Sequence, residues 1–299
     1  MNPERRIGVE LEFWLPEANK DTLKSALRMA GVPLRVCDWG TARYDSAAPV
    51  WTLKPDGSLN SNRPAGCVGM EVTSCPMAAA DLFRDLERVI ACLDQAGAFV
   101  NKRCGFHVHH EGTKYTAKRL QNLLNFVVKS ESAMDKLVAP SRRENRCQWC
   151  ESNKGLLDVS RYVRQLSTPH PKLKGTRACE ILRSNDIRYR KLNIKCFKGD
   201  EHGTIEFRQH QGTTNFGKVV FWVAFTQAIV ERCMTSVPQS TSYQNPMHNV
   251  LIQMKWATCD REGRLIPASN THLDLITLAT LTMDRFGFAS DAPRIAFAA

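Results

Sequence analysis

Three short segments of the chain alternate so strictly that each presents one face suited to a core and one that only a ligand or a counter-charge would satisfy. They are Gly8-Val9-Glu10-Leu11-Glu12-Phe13, Cys104-Gly105-Phe106-His107-Val108-His109 and the run from Gly203 to Gly212, whose centre reads Ile205-Glu206-Phe207-Arg208-Gln209-His210. Successive side chains of a strand point to opposite faces. Glu10 and Glu12 therefore share a face backed by Val9, Leu11 and Phe13. His107 and His109 share one backed by Phe106 and Val108, and Glu206, Arg208 and His210 share one backed by Ile205 and Phe207. Three strands built to one plan predict one sheet whose inner face gathers carboxylates, imidazoles and a guanidinium. Two carboxylates ~7 Å apart on one strand repel each other unless cations lie between them. An oxygen-rich set with one or two imidazoles suits magnesium or manganese better than structural zinc. Two more acids fall where they can join it: Asp56 in the turn Pro55-Asp56-Gly57-Ser58, and Glu71 in the middle of a strand from Val68 to Ser74.

The remaining pattern is that of a mixed protein. Apolar stripes at helical spacing predict helices over Asp21–Ala30, Ala78–Ala96 and Thr116–Val138, the first two stopped by Gly31 and Gly97. Further helices are expected over Lys218–Met234, His248–Ala257 and Leu273–Phe286, with short strands at residues 7–14 and Val50–Lys54. Strands and helices mix without regular βαβ alternation, which predicts an α+β fold with a largely antiparallel sheet. Nothing repeats and no low-complexity linker intervenes. One domain over 1–299 is expected, with a basic insertion at 141–198 covering the site and a helical C-terminal part at 218–299.

Charge narrows the choice of ligand. Of a net charge of +11, a surplus of ten falls between Ser141 and Lys198, where 15 Lys and Arg meet 5 Asp and Glu. Such a stretch is either a solvated face or a cover for an anion: ATP, an acidic amino acid or nucleic acid. No apolar run is long enough for a membrane span, and the first residues lack a secretory apolar region. Eleven cysteines, an odd number, then point to reduced thiols in the cytoplasm. Cys147-Gln148-Trp149-Cys150 lacks the second pair a zinc knuckle needs, and reads as structural or incidental thiols. Gly212 to Val219 nearly matches a phosphate-binding P-loop, but Val219 stands where a magnesium-binding hydroxyl is required.

Taken together, Gly-Val-Glu-Leu-Glu-Phe, Asp-Gly-Ser-Leu, Gly-Met-Glu-Val-Thr-Ser, Cys-Gly-Phe-His-Val-His and Gly-Thr-Ile-Glu-Phe-Arg, in that order over positions 8 to 213, resemble the amidoligase family. These are carboxylate–amine ligases related to glutamine synthetase and glutamate–cysteine ligase. The resemblance implies a glutamine-synthetase-like catalytic domain, a curved antiparallel sheet with helices on its outer face, that binds ATP and magnesium or manganese. It implies that Glu12 shares one ion with Asp56 and Glu71, and that Glu10 shares another with His107 and Glu206. Arg208 would face the substrate carboxylate or its phosphorylated form, and His109 the nucleotide phosphates. Arg188, Arg190 and Lys191, with Arg142 and Arg143 behind them, are further candidates for ATP or substrate contacts. Cys75 between Ser74 and Pro76 departs from the family pattern, and so does His110, which on strand parity points away from the metals.

The expected reaction joins a small-molecule or peptide carboxylate to an amine. Two alternatives stay open on the residues: a metal-dependent phosphotransferase acting on a carboxylate or guanidine, and a nucleic-acid-binding protein using the cationic stretch, whose binding would weaken steeply with salt.

Overall fold

A computed structural model describes residues 2–37, 50–112, 115–156, 188–194, 203–235 and 246–296. The part of the basic stretch at 157–187 and 195–198 lies outside them. The chain, read above as one domain, divides into two compact units: Met1–Glu111 with Thr204–Val223, and Gly112–Gly203 with Ala224–Ala299.

The first unit contributes six strands to its sheet: β1 (Ile7–Pro16), β2 (Leu34–Val36), β3 (Trp51–Pro55), β4 (Cys67–Thr73), β5 (Gly105–Glu111) and β6 (Thr204–Gln211). Their spatial order is β2-β3-β4-β1-β5-β6. Only β2 and β3 run parallel, so the sheet is mostly antiparallel. The alternation read from the sequence sets the register. Glu10 lies opposite His107 and Thr73, Glu12 opposite Glu71, and Glu71 opposite Lys54. Val9, Leu11, Phe13, Leu53, Met70, Val72, Phe106 and Val108 fill the other face and are buried. Burying a side chain of this size contributes roughly 1.5–3 kcal/mol against leaving it in water. Helices α1 (Lys20–Met29) and α2 (Ala79–Gln95) bury the predicted stripes, Leu23 and Leu27 in one and Leu82, Leu86, Val89, Ile90 and Leu93 in the other. A smaller apolar cluster of Trp14, Leu59, Cys67 and Cys104 closes the polar face beyond Glu12.

One departure from strict alternation matters. Val108 pairs with Phe207 but Phe106 pairs with His210, so β6 spends one residue more than β5 over the same span. The bulge puts Arg208 and Gln209 opposite His107 and turns His210 over. Its ring meets Phe106 edge-on at 5.7 Å and lies 5.1 Å from Trp222. His210 therefore belongs to the core, not to the face of Glu206 and Arg208 on which parity placed it.

The second unit contains α3 (Ala117–Asp135), α5 (Pro246–Gln253), a hairpin of β7 (Ala257–Cys259) and β8 (Leu265–Pro267), and α6 (Asn270–Arg285). Helix α4 (Phe216–Thr235) passes from the first unit into the second along the chain. The helix expected over His248–Ala257 stops at Gln253, and Ala257 opens the hairpin instead. Lys255 takes a positive φ of 61°, which ends the helical run. Thr116 and Ser269 cap α3 and α6 by accepting from the backbone N–H of Arg119 and His272. No helix among the described residues is long and apolar enough to cross a membrane.

Candidate active site

Strands β1, β5 and β6 lie side by side, so their polar faces form one surface. His107 from β5 stands at its centre. Its Nδ1 is 3.0 Å from Glu10 Oε2 and 3.6 Å from Glu206 Oε1, while its Nε2 is 3.6 Å from Glu12 Oε1. His109, two residues on, lies 3.2 Å from Glu10 Oε1 and 3.8 Å from Glu206 Oε1. The guanidinium of Arg208 donates to Glu206. Glu10, His107 and Glu206 offer ligand atoms within 4.8 Å of one another; among the described residues no other group of three His, Cys, Asp or Glu side chains does so.

The remaining acids are held singly. Glu12 accepts from the Gly105 backbone N–H at 2.6 Å. Asp56 caps a short turn by accepting from the N–H of Ser58 at 2.9 Å and its hydroxyl at 2.7 Å. Glu71 pairs with Lys54 at 3.1 Å and accepts from the Thr73 hydroxyl at 2.6 Å. Glu12, Asp56 and Glu71, expected to share one ion, thus lie on the same face without closing on a common point. Lys54 was not among the expected site residues. The signal was available, because in Trp51-Thr-Leu-Lys54 the apolar residues alternate with Thr52 and Lys54, which places Lys54 on the polar face beside Glu71.

Charge is crowded here. Burial favours the neutral form of Glu10, yet His109 and His107 beside it hold its carboxyl well below the usual range. Burial would likewise lower His109, but the carboxylates of Glu206 and Glu10 overcome it and raise the imidazole to about 9. Glu71 goes the other way: burial and repulsion from Glu10 push it up to about 7, against the pull of Lys54 and Thr73. His110 is fully buried and edge-on to Phe207 at 5.8 Å, and burial, with Arg5 and His109 nearby, keeps it neutral. A carboxylate face that leans on its own imidazoles and guanidinium for balance is a fitting seat for a hard divalent cation. The donor set of Glu10, His107 and Glu206, two oxygens and one nitrogen, has the chemistry such an ion takes.

The basic candidates belong to the second unit. Lys191 is buried, with its ammonium 3.1 Å from Glu131 and 2.6 Å from Asp135 of α3. Two carboxylates already hold it, so it is not a cation waiting for phosphate. Around it Asn153 and Leu192 exchange two hydrogen bonds at 2.9 and 3.0 Å, and Glu131 accepts from the N–H of Asn153. Arg190 donates to the Ser152 carbonyl and lies 3.3 Å from Glu151. Arg142 is buried, Arg143 stacks over Phe286 and Phe288, and exposed Arg188 lies over Tyr189. In the first unit, Val219 is buried in α4, and Asn215 accepts from the N–H of Lys218, so the near-match to a P-loop is an ordinary helix start.

Residues 3–230 match the family described as "Putative amidoligase enzyme". Among solved structures, the crystal structure of the complex between the prokaryotic ubiquitin-like protein Pup and its ligase PafA matches at 10% identity with a TM-score of 0.32. The match covers 98% of this chain and 59% of that one. No curated protein matches significantly.

Proposed function

The chain belongs to the amidoligase family, and from that premise we propose that it is an ATP-dependent carboxylate–amine ligase with a glutamine-synthetase-like catalytic sheet. A carboxylate and an amine do not condense unaided in water, because the carboxylate oxygen is a poor leaving group. Transfer of the terminal phosphoryl of ATP to the carboxylate gives an acyl phosphate and ADP. The amine then attacks the acyl carbon, the C–O bond breaks, and phosphate leaves.

The observation that carries this reading is the convergence of Glu10, His107 and Glu206, with Arg208 fixed beside Glu206. Glu10, His107 and Glu206 would hold magnesium or manganese, which when bound neutralises phosphate oxygens as charge shifts between them. Arg208 presents a permanent cation whose forked donors match a carboxylate or an acyl phosphate. His109, kept protonated by its two carboxylate neighbours, supplies a second positive group for the nucleotide phosphates. Thr204 Oγ1, 3.3 Å from its Nδ1, sets the ring. Glu12, anchored by Gly105, holds the far edge of His107 and so orients it. Asp56 and Glu71 would complete a second ion site with Glu12, once a cation displaces Lys54 from Glu71. The substrates would be a small-molecule or peptide carboxylate and an amine, used in the cytoplasm.

The test is ADP release from magnesium and ATP in the presence of pooled carboxylates and amines, followed by product mass. A ligase joins two substrates with loss of one water, whereas a phosphotransferase adds a phosphoryl group to one. Glu10→Ala and Glu206→Ala are expected to abolish turnover; full activity in both rejects the site.

A further inference from the structure

The second unit carries a pair of thiols that the ligase reading does not use. Cys147 and Cys150 stand at the two ends of one turn, closed by the Cys150 N–H donating to the Cys147 carbonyl at 3.1 Å. The ends of such a turn lie within about 7 Å between Cα atoms, against the roughly 4.4–6.8 Å that a disulfide spans. Their exposures differ: Cys147 is half-buried and reachable from solvent, while Cys150 is wholly buried. Behind the pair lies Arg142, itself buried, with a guanidinium N–H 3.9 Å from Cys150 Sγ.

Thiols that serve as small apolar fillers behave differently. Burial alone pushes Cys92 up, and in Cys233 burial outweighs Arg232 to push the thiol up to about 12. Cys147 moves the opposite way. The hydrogen bond from Cys150 leads, burial opposes it, Arg142 assists, and the thiol settles at about 5. Cys150 is pushed far up by that same hydrogen bond and by burial, with the charge on Cys147 adding to both.

We propose that Cys147 and Cys150 form a thiol–disulfide exchange site, with Cys147 as the attacking sulfur, Cys150 as the resolving sulfur and a small-molecule disulfide as the oxidant. The Cys147 thiolate attacks one sulfur of the oxidant, whose S–S bond breaks. One small thiolate leaves and takes a proton from water, and Cys147 becomes a mixed disulfide. Once Cys147 is a mixed disulfide, neither its hydrogen bond nor its charge raises Cys150 any longer; burial still opposes ionisation, and Arg142 remains in place to favour the thiolate. Cys150 gives up its proton and attacks Cys147 Sγ, and the second small thiolate leaves with that proton. Two protein thiols are oxidised and one small disulfide is reduced to two thiols. The turn is already closed, so the exchange needs little backbone movement.

The experiment uses the reduced full-length chain with oxidised glutathione as the probe. Cleavage after Arg146 and Lys154 places both cysteines on one peptide, Cys147–Lys154. That peptide is expected to lose the mass of two hydrogens and carry no glutathione. Cys150→Ser should keep one glutathione on Cys147, and Cys147→Ser should leave the peptide unmodified. Because a variant can misfold, the wild-type chain is also alkylated with iodoacetamide at pH 6. A thiol at about 5 is roughly 300-fold more ionised there than one at about 8.5. Its thiolate is intrinsically weaker by roughly 40-fold, from a Brønsted slope of about 0.45. Cys259, also half-buried, is pushed up by burial and by Asp260, so the net expectation is that Cys147 reacts at least about tenfold faster than Cys259, with a rate that stays flat above pH 6. Alkylation of Cys147 no faster than of Cys259, or a reduced Cys147–Lys154 peptide at glutathione disulfide concentrations that modify Cys259, overturns the proposal.

Discussion

Replacing Gly105 with alanine adds one methyl group where the site has no room for it. A Cβ at this position would lie 2.7 Å from His107 Nε2 and 3.3 Å from both His107 Cδ2 and Glu12 Oε2, where ordinary contact is 3.4–4 Å. The imidazole edge must therefore retreat by roughly 0.7 Å or more. The atom in the way is the end of a side chain rather than backbone, so the fold adjusts cheaply, at about 1 kcal/mol. A loss of that size lowers Tm by only about 2 °C in a chain this long. The site is less forgiving. His107 is one of the three converging ligands, and metal–ligand distances tolerate only about 0.2 Å. Manganese affinity is expected to fall about 10–100-fold, as when a residue that orients a ligand is removed. A misplacement approaching 1 Å costs about 100-fold in turnover. Free manganese measured by electron paramagnetic resonance, ADP release and a thermal melt separate the three effects. A folded variant that binds manganese as tightly as the parent would refute both the cation site and the role of Glu12 in bracing it.

The same methyl group at Gly212 should do the reverse. There it would sit 2.5 Å from Cys104 Cβ and 3.1 Å from backbone atoms of Cys104 and Glu12, and the clash should cost about 1–3 kcal/mol, read as a lowered Tm. Lys191→Met leaves Glu131 and Asp135 facing each other with no cation between them, and about 3–5 kcal/mol of stability should be lost in denaturant titration. His109 gives a pH signature in the chelator-treated protein. Its folded value is raised from 6.5 to about 9 by Glu206 and Glu10, with Arg208 opposing, so its stabilisation is complete below about pH 6.5 and lost as pH rises through 9. Glu206→Gln should shrink that alkaline loss, because it removes the leading partner; an unchanged alkaline limb of the stability curve would contradict the assignment.

Much of the first unit was legible because alternation is a local property. Once β1, β4 and β5 are recognised as strands, parity alone puts Glu10, Glu12, Glu71, His107 and His109 on one face and their apolar neighbours on the other. Parity fails where it loses count. Nothing in Phe-Arg-Gln-His announces a bulge, because the extra residue is defined only against the partner strand, and so His210 was placed on the wrong side. Lys191 was misread for another reason. A run of positive charge in sequence says nothing about depth, and the ammonium is buried because Glu131 and Asp135, four residues apart on α3, present two carboxylates on one helical face. That spacing was the available clue. Asp56 and Lys54 show a third limit: being on the right face does not decide which partner a charge takes.

The bulge in β6 splits that strand into two reading frames. Before it, even-numbered positions tolerate only polar residues and odd-numbered ones only apolar residues; after it the parities exchange. A saturation scan of residues 204–211 should show the tolerance pattern slipping by one position between Phe207 and His210, and deleting Gln209 should bring the whole strand back into a single phase, with Arg208 alone opposite His107 and His210 still on the core face opposite Phe106.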